Sequence, residues 1–178
     1  MNYKHIILTR FNLQYDLQSD IHIQDNWLEE RFRLFEQYCF PSIIAQTNQL
    51  FDWVILISDQ TPNNYLSRLT QHTKSHKNIY IEQCSYYEDV NVLYQAIGSK
   101  YVQGYDYLLS TRVDNDDMLA KDFVETLQQQ FPITHAPAVL TFTNGIQWFE
   151  LQNMVFAVAY DRNHFLNFWE DKQNIRTS

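Results

Sequence analysis

The fold is decided by Tyr105-Asp106-Tyr107-Leu108-Leu109-Ser110-Thr111-Arg112-Val113-Asp114-Asn115-Asp116-Asp117, an apolar run that ends in acids. Residues 105–111 have the apolar character of a buried strand, and residues 118–131 follow with the spacing of a helix. Three carboxylates and an amide therefore stand where a strand ends and a helix begins. In open α/β sheets, ligands bind at that edge. The stretch predicts an α/β fold with a binding site at the end of this strand.

The acidic residues Asp114, Asp116 and Asp117 are candidate metal ligands. Adjacent carboxylates repel one another and resist burial unless a cation neutralises them. In an extended segment Asp114 and Asp116 project to the same side, where both can approach one ion. Hard oxygen ligands favour Mg²⁺ or Mn²⁺, with substrate phosphates completing the shell. The alternative is that one acid caps a helix beginning near Met118 and another complements its dipole, which accounts for one or two of the three.

The rest of the chain alternates strands and helices. Strands are predicted at 5–9, 53–57, 78–82 and 105–111, and helices at 26–44, 63–74 and 89–104, the first capped by Asn26. This order favours a right-handed, largely parallel sheet with helices on both faces. We therefore expect a single domain over residues 1–178.

The last third of the chain predicts a C-terminal β addition. Strands are expected at 138–143, 146–151 and 154–160, with a hairpin turn at Asn144-Gly145, a helix at 163–169 and a frayed tail at 172–178. Trp148 and Phe149 have two interpretations: they pack in the core, or they line a sugar pocket.

The composition argues against several classes of protein. The net charge of −8 and the lack of a long Lys/Arg run argue against binding to nucleic acid. Three Gly in 178 residues leave no dinucleotide fingerprint and no P-loop. Cys39 and Cys84 are too few for a disulfide framework and are expected as buried thiols. No segment approaches the ~18 apolar residues of a membrane span, and no leader is apparent, so a cytoplasmic protein is expected.

Three further residues that follow predicted strands are candidate ligand contacts. Arg10 and Arg112 carry guanidinium groups, which suit bidentate binding of phosphate. Asp59 suits a hydrogen bond to a ribose or a base. Because parallel strands end at one edge, Arg10, Asp59 and Asp114 are expected to converge. The alternatives are an ion pair that shapes the acidic loop, for Arg112, and a helix N-cap near Pro62, for Asp59.

Several segments resemble one family in their order and spacing. They are Ile7–Asn12, Trp27–Phe32, Phe35–Cys39 with Pro41-Ser42 and Gln46-Thr47, Phe51–Trp53, and Thr111–Asp117 with Asp122-Phe123. Over about residues 4–160 the chain resembles the putative rhamnosyltransferase family of bacterial GT-A-type glycosyltransferases. The resemblance implies a GT-A-like fold. It also implies transfer of a sugar, rhamnose by the family's name, from a nucleotide diphosphate to a hydroxyl acceptor in cell-surface polysaccharide synthesis.

The same resemblance implies roles for the candidate residues. The acidic cluster would be the DxD element of such enzymes. Asp114 would face the nucleotide, and Asp116, with or without Asp117, would reach a diphosphate bridged by Mn²⁺ or Mg²⁺. Asp59 would contact the base and Arg10 would lie near the nucleotide. A divalent cation and Arg suit the charge that develops on a departing nucleoside diphosphate.

The late part of the chain departs from the family's pattern. GT-A enzymes usually carry acceptor-binding and base-bearing elements in a C-terminal third, which is short here. Glu150 is the candidate general base for the hydroxyl of a glycan or lipid-linked acceptor. A partner subunit or a peripheral membrane contact would complete such a site. Two alternatives stay open: a non-catalytic module that binds nucleotide sugars, and a metal-dependent phosphoester or pyrophosphate hydrolase.

Overall fold

The computed structural model describes residues 2–13, 20–86, 89–130, 136–161 and 165–176. Within those residues the strands are β1 (Tyr3–Arg10), β2 (Asp52–Ser58), β3 (Ile79–Cys84), β4 (Tyr107–Arg112), β5 (Ala138–Leu140), β6 (Asn144–Phe149), β7 (Met154–Ala159) and β8 (Asn167–Asp171). The helices are α1 (Asp25–Leu34), α2 (Phe40–Ile44), α3 (Asn63–Thr73), α4 (Val90–Tyr101) and α5 (Phe123–Gln129). A 3₁₀ turn, Ile21–Ile23, precedes α1, and a π-helical turn, Phe35–Cys39, joins α1 to α2. Among these described helices, none is long and apolar enough to cross a membrane.

Six strands form one sheet in the order β3-β2-β1-β4-β8-β5. The neighbours β3, β2, β1 and β4 are parallel. Strand β8 runs antiparallel to β4 on one side and to β5 on the other. Strands β6 and β7 pair with each other in a separate antiparallel hairpin. The predicted α/β class with a mostly parallel sheet is confirmed, and the β addition is divided between the sheet and the hairpin.

Helices cover both faces of the sheet, as predicted. Alternate residues of a strand point to opposite faces. Ile7 therefore enters a core with Phe32 of α1, and Ile6 enters a second core with Leu93 of α4. Residues of α3 and α5 join the first core. Burial on both faces explains why the central strands are continuous apolar runs.

A chain of hydrogen bonds, buried at its centre, connects α5 to the edge strand β5. Gln128 Nε2 donates to His5 Nδ1 at 2.9 Å, and His5 Nε2 lies 2.9 Å from Thr111 Oγ1. Thr111 donates to Asn167 Oδ1 at 2.7 Å, and Asn167 Nδ2 donates to Leu140 O at 3.0 Å. This direction of donation makes His5 a neutral imidazole that carries its proton on Nε2. Burial is the main cause that lowers the pKa of His5 to about 3.

The predicted helix at 163–169 is wrong where the structure describes it, since β8 occupies Asn167–Asp171. Trp169 of this segment is fully buried and pairs with Leu109 of β4 and Ala138 of β5. The strand forms because both of its edges find partners, which the local sequence pattern does not reveal. The predicted fraying is also wrong at Ile175, which is buried. Residues 162–164 and 177–178 lie outside the described part of the chain.

The helix predicted at 118–131 begins later, at Phe123, because side chains of the α2 region bind the preceding backbone. Ser42 Oγ accepts a hydrogen bond from Leu119 N at 3.2 Å. Gln46 Nε2 donates to Ala120 O at 2.8 Å. These contacts fix residues 118–122 in an irregular conformation, and residue 131 lies outside the described ranges.

One predicted turn and one predicted helix cap are also wrong. Asn144 and Gly145 lie inside β6, and the chain reverses instead at residues 150–153. Asn153 adopts a φ of 47° there, a left-handed conformation that asparagine tolerates. The first long helix begins at Asp25, so Asn26 lies inside it rather than capping it.

Candidate functional site

A cleft opens where the order of the strands reverses. The chain passes from β1 to β2 and β3 on one side and returns to place β4 on the other side of β1. A cleft of about 150 Å³ lies at the carboxyl ends of β1 and β4. Its lining residues are Arg10, Phe11, Leu13, His22, Trp27, Arg31, Asp114, Asn115 and Asp116. Such switch points are where open α/β sheets bind ligands.

The wall formed after β1 is held by Asn12, which is almost fully buried. Asn12 Oδ1 accepts a hydrogen bond from Ser58 N at 3.0 Å, and its Nδ2 donates to Thr61 Oγ1 at 2.9 Å. Thr61 Oγ1 in turn donates to Ser58 O at 2.7 Å. One amide therefore fixes the segment that follows Arg10 against the end of β2.

The wall formed after β4 is a turn rather than the extended segment that the sequence predicts. Asp117 N donates to Asp114 O at 3.2 Å, which places Asn115 and Asp116 at the corners of the turn. Asn115 is buried, and its Nδ2 donates to Phe11 O at 3.0 Å. This bond joins the two walls. Asp114 and Asp116 both line the cleft, as predicted, but through the turn and not through strand alternation.

The third wall comes from the first helices, and sequence reasoning assigned no role to its cleft-lining residues. Trp27 and Arg31 are one turn apart on α1, and the Arg31 guanidinium lies 5.1 Å from the centre of the Trp27 ring. His22 meets Trp27 edge to face, with ring centres 4.8 Å apart. The i, i+4 spacing of a Trp and an Arg outside the apolar stripe of the helix was the available signal.

Three arginines lie near the acids of the cleft, and they differ in how closely they pair with them. Arg31 forms an ion pair with Asp116, and Arg112 Nη2 lies 3.5 Å from Asp114 Oδ1. Burial, and then the charges of Asp116 and Asp114, raise the pKa of Asp117 to about 7. Burial lowers the pKa of the Arg10 guanidinium below its ordinary value. The cleft therefore concentrates charge of both signs in a partly desolvated space, an arrangement typical of functional sites.

Asp117 differs in position from the other two acids, because it is not among the residues that line the cleft. Burial raises the pKa of the Cys39 thiol, and the next largest cause is the charge of Asp117, ahead of Asp116 and Asp114. Cys39 Sγ lies 3.6 Å from Asp114 O, so the thiol is next to the acidic turn. Among the described residues, no group of three His, Cys, Asp or Glu side chains is arranged to hold a metal ion.

The donors that face the cleft nevertheless fit a hard divalent cation. Asp114 and Asp116 offer carboxylate oxygens to the cleft. Mg²⁺ is commonly bound in this way, through one or two carboxylates together with substrate phosphates. Burial is the largest cause of the raised pKa of Asp117, and the charges of Asp116 and Asp114 add to it; a cation bound nearby would favour the ionised carboxylates.

Asp59 lies away from the cleft. Its carboxylate accepts a hydrogen bond from Tyr86 N at 3.2 Å, and its own N–H donates to Cys84 O at 2.8 Å. It therefore joins the ends of β2 and β3 and does not meet Arg10 or Asp114 among the lining residues. The alternative prediction, a helix N-cap, is wrong, because Pro62 occupies the cap position of α3. The contact of Asp59 with a ribose or a base stays a prediction.

Glu150 also lies outside the cleft, in the turn between β6 and β7. Arg33 binds it through two nitrogens at 2.7 and 2.9 Å, and Tyr38 Oη donates to it at 2.6 Å. These hydrogen bonds, that of Arg33 first, lower the pKa of Glu150 to about 2. Since Arg31 and Arg33 are two residues apart on α1, they project from different sides of the helix. The structure thus brings together Arg10, Asp114 and Asp116, with Arg112 beside them, but not Asp59 or Glu150.

Comparison with known proteins assigns the chain to a family. The model of a family described as "Putative rhamnosyl transferase" matches residues 5–169, which is most of the chain and includes every wall of the cleft. No individually curated protein matches the chain significantly.

Proposed function

The chain belongs to the family described as "Putative rhamnosyl transferase", and we propose that it transfers a sugar from a nucleoside diphosphate donor to a hydroxyl group. Rhamnose is the first donor sugar to test, since the family's description names it. The acceptor would be a glycan or a lipid-linked sugar, in the synthesis of cell-surface polysaccharide. Family membership supports the class of enzyme; the cleft supports the kind of donor.

The observation that carries this proposal is the pairing of acids and arginines at the switch point. A nucleoside diphosphate bears clustered negative charge, which Arg10 and Arg31 are suited to bind. Asp114 and Asp116 would hold Mn²⁺ or Mg²⁺ against the same phosphates. The partly buried side chain of Trp27 adds an aromatic group to the lining of the same site. The GT-A-like fold of the resemblance fits this arrangement, in which the donor lies beyond the carboxyl ends of parallel strands.

These residues suit the chemistry of glycosyl transfer. When the bond between the anomeric carbon and the diphosphate oxygen breaks, negative charge accumulates on the leaving diphosphate. A bound cation would supply Lewis acidity to that charge. Arg10 and Arg31 would bind phosphate oxygens by charge-assisted hydrogen bonds, and Asn115 would keep the acidic turn fixed to the end of β1. Asp117 would add negative charge behind the turn without a direct contact.

Calorimetry with UDP, dTDP and GDP, with and without Mn²⁺, tests the proposal. We expect one of these nucleotides to bind, and Mn²⁺ to strengthen its binding at least about tenfold. Asp116→Asn should abolish the effect of Mn²⁺. Asp122→Asn is a matched control, because Asp122 is exposed on the same connection and makes no capping hydrogen bond.

The same samples with nucleotide sugars then test transfer itself. Release of nucleotide that depends on the donor sugar and on Asp116 supports a transferase. Binding that Mn²⁺ does not change, or equal behaviour of the Asp116→Asn and Asp122→Asn variants, would refute the assignment of the site.

A further inference from the structure

The hydroxyl group of Tyr94 is buried without a partner. Tyr94 belongs to α4, only 2% of the residue is exposed, and it lies in the second core with Leu8 and Leu108. Among the described residues, its hydroxyl has no hydrogen-bond partner. A buried hydroxyl without a hydrogen bond costs free energy, and a buried tyrosine usually finds a partner for its O–H. Packing alone therefore does not explain a tyrosine at this position.

The topology places Tyr94 near the edge of the sheet that carries the cleft. Helix α4 connects β3 to the parallel strand β4, so it runs back along the sheet, and its first turns lie near the carboxyl ends of the strands. Alternation along the strands puts Arg10 on the same face as Leu8, and Arg112 on the same face as Leu108. Leu8 is paired with Arg112 in the register. Two guanidinium groups therefore lie on the α4 side, at the ends of β1 and β4.

The electrostatic surroundings of Tyr94 agree with this placement. Burial is the main cause that raises its pKa, whereas the charges of Arg10 and then Arg112 lower the pKa, and the charge of Asp114 raises it. The hydroxyl thus keeps its proton and can donate a hydrogen bond. Its charged neighbours are two cations and one anion, which favours an anionic oxygen as the acceptor.

A weak contact holds Arg112 in its present position. Its Nη2 lies 3.5 Å from both carboxylate oxygens of Asp114, at the limit of a hydrogen bond, and both side chains are partly exposed. In the proposed site a cation binds Asp114, so the guanidinium of Arg112 can turn toward a phosphate. Arg10 already lines the cleft. Movement of Arg112 thus opens the α4 side of the cleft to a ligand.

We propose that Tyr94 is a further ligand-binding residue, whose hydroxyl donates a hydrogen bond to a phosphate group held between Arg10 and Arg112. This inference rests on the proposed function, since the phosphate belongs to the nucleoside diphosphate. The diphosphate is then contacted from two sides of the sheet, by Arg31 from α1 and by Tyr94 from α4. The hydroxyl gains in the complex the partner that it otherwise lacks.

Calorimetry with Tyr94→Phe, which removes only the hydroxyl, tests the proposal. The probes are inorganic pyrophosphate and whichever of UDP, dTDP and GDP binds to wild type, each with Mg²⁺. The variant should bind both probes at least about tenfold more weakly, because a hydrogen bond to a charged group is lost. Pyrophosphate shows whether the lost contact is to phosphate, since it has neither a base nor a ribose.

The stability of the same variant separates a ligand contact from a structural role. Because the hydroxyl has no partner among the described residues, Tyr94→Phe should leave the midpoint of urea unfolding unchanged or raise it. Ser110→Ala is the matched control. Ser110 is also buried on the α4 side and its hydroxyl also lacks a described partner, but it lies two residues, about 7 Å, deeper in β4 than Arg112. It should leave both affinities unchanged.

The outcomes distinguish this inference from the function on which it rests. A wild-type chain that binds neither a nucleoside diphosphate nor pyrophosphate would refute the proposed function and this inference with it. If wild type binds both and Tyr94→Phe binds them equally well, only the role of Tyr94 is overturned. The same holds for a loss confined to the nucleotide, for a loss shared by Ser110→Ala, and for a lower urea midpoint of Tyr94→Phe.

Discussion

Arg31 of α1 forms an ion pair with Asp116, at the corner of the turn that follows β4. Arg31 also lies over the ring of Trp27, so two contacts hold the guanidinium against the acid. In the proposed site, a cation must compete with Arg31 for Asp116. Once displaced, the guanidinium lies beside the position proposed for the diphosphate. In the proposed site, the pair thus joins the carboxylate that would bind the cation to the guanidinium that would bind the phosphates.

Arg31→Gln is expected to change the two binding reactions in opposite directions. Mn²⁺ alone should bind about two- to fivefold more tightly, because Asp116 no longer has a competing partner and partly exposed ion pairs are weak. The nucleoside diphosphate in the presence of Mn²⁺ should bind about tenfold more weakly, because a charge-assisted hydrogen bond is lost. Titration of Mn²⁺ followed by electron paramagnetic resonance, and then calorimetry with nucleotide, measure both.

Arg33→Gln is the control for this experiment, since it removes the same charge from the same helix but on the side that binds Glu150. It should leave both affinities unchanged. If Arg31→Gln weakened Mn²⁺ and nucleotide binding alike, the ion pair would not compete with the cation.

Asn12→Ala should destabilise the fold by about 2 kcal/mol, because it leaves the buried N–H of Ser58 without its acceptor. Urea unfolding measures the change. Asn64→Ala, at an exposed position of α3, should alter the free energy of unfolding by less than about 0.5 kcal/mol. Similar stabilities for the two variants would show that Asn12 does not support the wall that carries Arg10.

Glu150→Gln is expected to change kcat by less than about tenfold, whereas loss of a general base lowers it by about 10²–10⁴. The reason is that Arg33 and Tyr38 hold the carboxylate away from the cleft and lower its pKa to about 2, which makes it a poor proton acceptor. Steady-state kinetics with the donor identified by calorimetry measure the effect. A large drop in kcat at unchanged KM would restore Glu150 as the base.

His5 is expected to make the fold less stable in acid. Its pKa is about 3 in the folded chain and about 6.5 when unfolded, so between these values the unfolded chain binds a proton that the folded chain does not. The stabilisation is complete above pH 6.5 and decreases as the pH falls toward 3, by up to about 1.4 kcal/mol per pH unit.

Urea unfolding between pH 7 and pH 4 measures this slope, which His5→Gln should reduce. Nitrogen-15 spectra of the wild-type imidazole provide an independent measurement. They should show the tautomer with the proton on Nε2, bonded toward Thr111, throughout that range. Titration of the His5 ring near pH 6.5 would contradict the prediction.

Sequence reasoning predicted those parts of the site that directly follow a recognisable strand. Arg10 and Asp114 follow apolar runs, and parallel strands bring their ends together. Sequence reasoning missed Trp27 and Arg31, because tertiary packing places their helix beside the cleft and no local sequence pattern shows this. Asp59 was placed by its position after a predicted strand, and Glu150 as a late acid in the chain. Their partners, Tyr86 N–H and Arg33, are distant in sequence. Strand β8 was missed for the same reason.

Strand β8 is also the last strand of the sheet to be synthesised, yet it lies inside the sheet, between β4 and β5. The ribosome must therefore translate past Asp171 before β5 can pair with β8. Until then, the edge of β4 that faces away from β1 also lacks its partner strand. A premature stop codon shortly before Asn167 would remove a strand from the interior of the sheet and not one from its edge. Nonsense mutations shortly before Asn167 should thus be as damaging to the native protein as those in the earlier strands.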